Sequence, residues 1–279
     1  MLYLCATPIG NLEDITMRVL RVLKEVDLIA AEDTRQTLKL LNHYEIKTPM
    51  TSYHEHNKAQ KGKYLLELLQ EGKNIALVTD AGTPAISDPG EDLAREAYQA
   101  GIGVTSLPGP SAVITAMTLC GFSTRQFTFQ GFLPLKNKER QPILEFLQRT
   151  TYATVFYEAP HRLEKTLTYF CENLRKDRRI ALCKELTKKH ESVRIFTLEE
   201  AWNEVKENPP RGEYVLVLEG ETEENIRQGE RAFWEKWTIP EHMDYYLEQD
   251  MKKNDAMRQV AKDRNIRKNQ VYQALLEEG

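Results

Sequence analysis

Over its first 110 residues the chain alternates short apolar runs with longer amphipathic ones. Residues 2–6, 27–31, 75–79 and 104–107 are apolar and bounded by polar or turn residues. Residues 16–26, 35–44, 58–70 and 91–100 place apolar side chains three and four apart, the period of a helix. This alternation predicts an α/β domain with a largely parallel sheet, assigned to residues 1–112. After an interruption at residues 121–125, strand-like segments return at 127–132, 154–157, 179–183, 193–197 and 214–218. Helical patterns intervene at 138–148, 163–174 and 198–206, which predicts a second α/β domain with a more mixed sheet over 113–220. Beyond Gly220 the pattern stops. Residues 221–250 are acidic and polar with scattered aromatics and read as a linker. Residues 251–279 read as a small basic domain of helix-turn-helix spacing. Ala256, Val260 and Ala261 mark its first helix, Asn265 its turn, and Val271, Tyr272, Leu275 and Leu276 its second.

Charge and composition narrow this picture. The apolar fraction, 41%, suffices for packed cores, and the net charge of −4 excludes a polybasic protein without excluding a local basic patch. Such a patch exists near the C-terminus, where Lys252, Lys253, Arg258, Lys262, Arg264, Arg267 and Lys268 outnumber Asp255 and Asp263, making this piece a candidate for nucleic-acid contact. Cys5, Cys120, Cys171 and Cys183 are scattered, each in or beside an apolar run, and read as core thiols of a cytoplasmic protein with no metal site. The N-terminus has no basic stretch ahead of an apolar one, and no run approaches the roughly 18 apolar residues of a membrane span.

Familiar phosphate motifs are missing. There is no GxxxxGK[ST], and Gly101-Ile-Gly103 lacks a third glycine and precedes a strand instead of opening a helix. What remains is a set of Pro/Gly turns at predicted strand ends: residues 7–11, 80–90 and 107–112. Ser111 is expected to cap the helix it opens, whose first amides would receive an acceptor atom. Ligands of open α/β sheets bind outside the carboxyl ends of the strands, so turns of this kind along one edge predict a small-molecule pocket. Charged residues gather at strand ends as well: Glu32 and Arg35, then Glu158, His161 and Arg162, then Lys184 and Glu185. A basic stretch at Lys136, Lys138 and Arg140 suits a phosphate-bearing substrate.

Taken in order, Thr7-Pro-Ile-Gly-Asn-Leu-Glu-Asp14, Ala31-Glu-Asp-Thr-Arg35, Asp80-Ala-Gly-Thr-Pro84, Pro108-Gly-Pro-Ser-Ala112, Gly131-Phe-Leu-Pro134, Tyr157-Glu-Ala-Pro-His-Arg162, Lys184-Glu-Leu-Thr-Lys188 with His190-Glu191, and Gly212-Glu-Tyr-Val215 closely resemble the ribosomal RNA small-subunit methyltransferase I family of the tetrapyrrole methylase superfamily. The resemblance covers about residues 1–220, and the C-terminal piece is similar to that family's small terminal domain. It implies a two-domain tetrapyrrole-methylase-like α/β fold (class III methyltransferase) with a small helical C-terminal domain. It implies S-adenosylmethionine as methyl donor, 2′-O-methylation of a cytidine in 16S ribosomal RNA, free or in the small ribosomal subunit, and a homodimer. Pro8, Asp80, Gly82, Thr83, Ser111, Ala112, Tyr157 and Gly212 would bind the donor. Glu32, Glu158, His161 and Glu185 are the candidates for the base that takes the hydroxyl proton, and Arg35, Arg162 and Lys184 would grip phosphates. On this reading Glu158→Gln lowers turnover far more than donor binding. Tetrapyrrole methylases often carry Gly-Asp-Pro where this chain has Ala81-Gly-Thr-Pro84, which favours the RNA branch. The alternatives are a same-fold enzyme acting on a tetrapyrrole or other small molecule, and a non-enzymatic RNA-binding protein.

Overall fold

The computed structural model describes residues 1–235 and 237–277. Lys236 and the last two residues of the 251–279 segment lie outside the described residues. The chain divides into two compact units, one of Met1–Pro142 with Tyr152–Glu219, the other of Ile143–Thr151 with the chain from Gly220 onward.

The first unit holds two five-stranded sheets. The first sheet is wholly parallel and runs β3-β2-β4-β1-β5, with β1 at Leu2–Cys5, β2 at Leu28–Ala31, β3 at Met50–Ser52, β4 at Ile75–Val78 and β5 at Val104–Leu107. Helices α1 (Met17–Glu25) and α2 (Thr34–His43) cover one face, where Val19, Leu23 and Leu41 pack on Ala76 and Val78. Helices α3 (Lys58–Gln70) and α4 (Gly90–Gln99) cover the other, where Leu65, Leu69 and Leu93 pack on Ile75 and Leu77. Burial on both faces is why β4 reads as an unbroken apolar run. From β1 the chain crosses to β2 on one side, and from β4 to β5 on the other. The carboxyl ends of β1 and β4 therefore mark the topological switch point of the sheet, where a crevice is expected.

Helix α5 (Ala112–Leu119) leaves β5 and buries Val113, Ala116 and Met117 against Val155, Ala181, Cys183, Val215 and Val217 of the second sheet. That sheet is mixed, in the order β6-β7-β10-β8-β9, with β6 (Phe127–Phe132) parallel to β7 (Ala153–Glu158). The pairs of β10 (Tyr214–Leu218) with β7 and with β8 (Arg179–Lys184), and of β8 with β9 (Ser192–Thr197), are antiparallel. Helix α6 (Asn137–Arg149) follows β6, α7 (Pro160–Asn173) follows β7, and α8 (Leu198–Glu207) starts at a Thr197–Glu200 capping box. Phe170 of α7 packs on Phe156 of β7, ring centroids 5.6 Å apart. The four cysteines are buried free thiols, and burial pushes Cys5 and Cys183 up to about 12, so both remain protonated. Among the described residues no helix is long and apolar enough to cross a membrane.

In the second unit, the segment expected as a linker is helical: α9 spans Glu223–Glu235 and α10 spans Ile239–Leu247. The Thr238 hydroxyl and Glu241 carboxylate close a capping box at the start of α10. Met243 of α10 then packs with Ala256, Val260, Ala261 and Val271 of α11 (Lys253–Asp263) and α12 (Lys268–Glu277). The two terminal helices thus share their core with a third. Arg264 is part of this packing and not of a basic surface. Its guanidinium donates to the carbonyls of Trp237 (2.6 Å) and Thr238 (3.0 Å) and to Nδ1 of buried His242 (3.2 Å).

Candidate functional site

The three turns at the edge of the first sheet are tied to one another. Thr7 and Gly82 exchange backbone hydrogen bonds of 2.9 and 3.0 Å, and the buried Thr7 hydroxyl reaches the carbonyl of Thr79 at 3.2 Å. The Thr83 hydroxyl donates to the carbonyl of Pro110 at 3.0 Å. The glycines make this closeness feasible. Gly82 has φ +85°, and a Cβ there would lie 3.3 Å from Ile9, while a Cβ on Gly109 would lie 2.7 Å from that of Ala6. Ile9, Ala112 and Tyr157 all pack on the cluster beneath α5, so the first turn, the start of α5 and the end of β7 converge. The Tyr157 ring lies 4.9 Å from that of Phe129, and burial pushes its phenol up. Ser111 occupies the N-cap of α5, but its side chain makes no capping hydrogen bond, contrary to expectation.

Between Thr83 and Gly90 the second turn folds on Asp88. Its carboxylate accepts from the amides of Gly90 (2.8 Å), Ala85 (3.0 Å) and Ile86 (3.2 Å), while burial pushes the acid above its ordinary range. These bonds hold Ala85 and Ser87 at φ +67° and +66°, a left-handed conformation costly for residues with a Cβ. Across from them, a Cβ on Gly131 of β6 would meet the Ser87 hydroxyl at 3.2 Å, so the turn abuts the second sheet. Asp88 is not among the residues singled out from sequence, although Asp before Pro-Gly is a recognisable turn signal.

Acids gather where β2 and β4 end. The Thr79 hydroxyl donates to Glu32 Oε2 at 2.6 Å, and the Asp33 amide donates to Asp80 Oδ1 at 2.9 Å. Partial desolvation, with Glu32 and Asp33 close by, pushes the Asp80 carboxyl upward. Asp33 caps α2 through the Arg35 amide and takes the Arg35 guanidinium with both oxygens, at 3.1 and 2.8 Å. Those guanidinium bonds first, then the amide, hold the Asp33 acid down at about 2. An unfolded Asp titrates near 3.9, so this exposed clamp is complete above about pH 4 and is lost as pH falls through about 2. A carboxyl-detected NMR titration should place the Asp33 midpoint well below that of Asp in an unfolded peptide. A midpoint near 3.9 would remove the clamp.

The remaining charged candidates divide by burial. Glu158 is a buried strut. It accepts from the Thr166 hydroxyl at 2.5 Å, the Ala159 amide at 3.0 Å and Arg162 Nε at 3.2 Å, and its side chain is fully inaccessible. Enclosure of this kind favours a positioning role for Glu158 over that of the base expected from the sequence. Arg162 in turn donates to the carbonyl of Leu133, which ties the first turn of α7 to the loop after β6. Glu185, at φ +51°, accepts from the Glu213 amide (2.8 Å) and Lys188 (3.0 Å), the amide foremost in holding its acid below the usual range. Gly212 leaves room for it, since a Cβ there would lie 2.6 Å from Glu185. Glu185 therefore braces the turn that carries Gly212. His161 is exposed at the start of α7, Lys184 is half-buried at the end of β8, and Pro8 follows Thr7 in the first turn. The basic stretch at 136–140 is mostly helix, because α6 begins at Asn137, and Lys136 pairs with Glu139 at 3.2 Å.

With this geometry in place, comparison with known proteins adds identity. The family profile of the Tetrapyrrole (Corrin/Porphyrin) Methylases matches residues 1–201. The ribosomal RNA small subunit methyltransferase I of Halalkalibacterium halodurans is 47% identical, over 97% of this chain and 93% of its own. The protein of that name from Bacillus subtilis is 46% identical, over 98% of this chain and 93% of its own. Among solved structures, a diphthine synthase aligns with TM-score 0.64 at 14% identity, covering 81% of this chain and 93% of that one. A uroporphyrin-III-C-methyltransferase from Thermus thermophilus aligns with TM-score 0.55 at 21% identity, covering 78% and 93%. At such identities these two structures speak to the fold alone.

Proposed function

Because the chain belongs to the tetrapyrrole methylase family, together with the ribosomal RNA small subunit methyltransferase I proteins, we propose that it transfers a methyl group from S-adenosylmethionine to small-subunit ribosomal RNA, at the ribose 2′-oxygen of a cytidine. The near-full-length likeness to proteins so named carries this reading. The glycine-lined turns at the switch point support the donor site: they bring backbone, and not side chains, to the edge of the crevice.

When bound, S-adenosylmethionine supplies a methyl group on a sulfonium, a good leaving group. The chain's part is then alignment and proton removal. Enforced near-attack geometry is worth roughly 7–11 kcal/mol. Gly82, Thr83, Ala112 and Ser111 would hold the donor along their backbone, with Pro8 and Tyr157 as apolar walls and Gly212 on its braced turn. Asp80 would anchor it through Oδ2, since Oδ1 already accepts the Asp33 amide. For the hydroxyl proton the reading narrows to Glu32, whose Oε2 is taken by Thr79, leaving Oε1, and to exposed His161. Arg35 and Lys184 remain the phosphate contacts, Arg35 being 87% exposed beyond its Asp33 clamp. A homodimer working in the cytoplasm belongs to the same proposal. Ile114 and Leu119 on α5 and Ile195 on β9 are exposed apolar side chains that a second copy would cover.

Radiolabelled donor incubated with naked 16S RNA and with small ribosomal subunits tests the reaction. Label recovered as 2′-O-methylcytidine is the expected result. Label on a base, or none on either substrate, would overturn it.

A further inference from the structure

A groove of about 510 Å³ runs between α6 and α7 in the first unit, away from the turns described above. Asn137, Arg140 and Gln141 line one side, and Lys165, Tyr169 and Asn173 the other. On α7, His161, Lys165, Tyr169 and Asn173 recur every four residues and therefore share one face. This stripe starts where β7 delivers the chain to α7, beside Tyr157 and Glu158, and extends about 18 Å from it. The Arg140 guanidinium lies over the Tyr169 ring, 5.0 Å from its centroid, and Arg140 Nε donates to the carbonyl of Pro134. Arg140 and Arg162 thus hold consecutive residues of one loop, Pro134 and Leu133. That loop follows Gly131, which abuts Ser87 of the second turn. The groove is therefore joined to the candidate site by a pinned loop and by a helix.

We infer that this groove is a second contact for single-stranded RNA, holding nucleotides that flank the one in the site. The inference rests on the proposed function and extends it to the path of the strand. Its chemistry fits a nucleic acid better than a protein segment. A guanidinium set over a phenol ring pairs a cation with an aromatic side chain, the two kinds of group on which bases stack. Lys165, one turn before Tyr169, supplies a charge for a phosphate, and the side-chain amide of Asn137 suits a base edge. The groove offers few apolar anchors of the sort a peptide helix would need. Glu172, the acid in the lining, sets the far limit of the track, where it repels phosphate.

The test uses the full chain and oligocytidylates of twelve and four nucleotides, with affinities measured over a salt series. Lys165→Glu should weaken binding of the 12-mer by about tenfold and flatten its salt dependence by roughly one to two phosphate contacts. Tyr169→Leu should weaken it by about tenfold or more with the salt slope unchanged, as expected for a lost stacking platform. Both effects should shrink on the 4-mer, which is too short to fill site and groove together. Glu172→Gln should tighten the 12-mer. Affinity for S-adenosylmethionine should be unchanged in all three variants, which also shows that they are folded. If the wild type methylates RNA and the variants keep wild-type affinity for both oligonucleotides, the groove is overturned and the functional reading stands. Equal losses on the short and long oligonucleotides would also overturn it, as would crosslinking of the groove to a ribosomal protein with RNA affinity intact. If the wild type binds donor but neither binds nor methylates RNA, the functional reading fails, and the groove with it.

Discussion

Gly109→Ala will lower affinity for S-adenosylmethionine by about tenfold or more while the chain remains folded. The added methyl would stand 2.7 Å from the Ala6 Cβ. Ala6 is fully buried directly after β1, and neither Cβ can turn away, since each is fixed to its own backbone. Relief must come from moving the 107–112 turn off the end of β1, and overpacking of this kind costs about 1–3 kcal/mol. The same turn carries Pro110, whose carbonyl receives the Thr83 hydroxyl, so the displacement passes to the second turn. Gly72→Ala is the control. Gly72 has φ +88°, and a Cβ there would meet nothing within 4 Å, so it carries the conformational cost of about 1–2 kcal/mol without reshaping the cradle. Calorimetric titration with donor separates the two variants, and thermal melting reports what each loses in stability. Wild-type affinity in Gly109→Ala would show that the 107–112 turn takes no part in binding.

Why some of this can be read from sequence and some cannot follows from the physics of each element. The run at 75–78 is legible because β4 is covered on both faces and admits nothing polar. The turns are legible because Gly and Pro are required where chains approach closely or φ is positive. Strand β3 escapes notice because Met50, Thr51 and Ser52 are too few to show any alternation. Polar composition hides helices α9 and α10, although Thr238-Ile-Pro-Glu241 carries both a capping box and a proline in the first turn. Asp33 stands one residue before a helical run, the position of an N-cap, and that signal suffices to find it. Side-chain burial at strand ends is the harder matter. Glu158 and Glu32 look alike in sequence, each an acid after an apolar strand, yet only Glu158 is closed over by a helix that returns across it. The Arg140–Tyr169 pair spans two helices separated by a strand, so no local pattern announces it.

Glu158→Ala should destabilise the protein by about 3–5 kcal/mol, whereas Glu158→Gln should cost far less and leave most of the turnover. Removing the carboxylate strands Arg162, whose side chain is 22% exposed, and leaves the buried Thr166 hydroxyl without its 2.5 Å partner. Breaking a buried pair from one side costs more than the pair contributes, because the surviving charge is left desolvated. Glutamine keeps the volume and one accepting oxygen for the Ala159 amide and Arg162, and the Thr166 hydroxyl can rotate to accept from the new amide. This reverses the order expected of a catalytic base, for which Gln would abolish turnover at an unchanged melting temperature. The consequence for activity runs through position. With Arg162 loosened, the loop at Leu133 and the start of α7 lose their common tie, so Ala should raise the KM for RNA before it touches donor affinity. Melting curves, donor titration and a split of kcat from KM on both variants decide the matter. A Gln variant that is fully stable and inactive would return Glu158 to the reacting atoms.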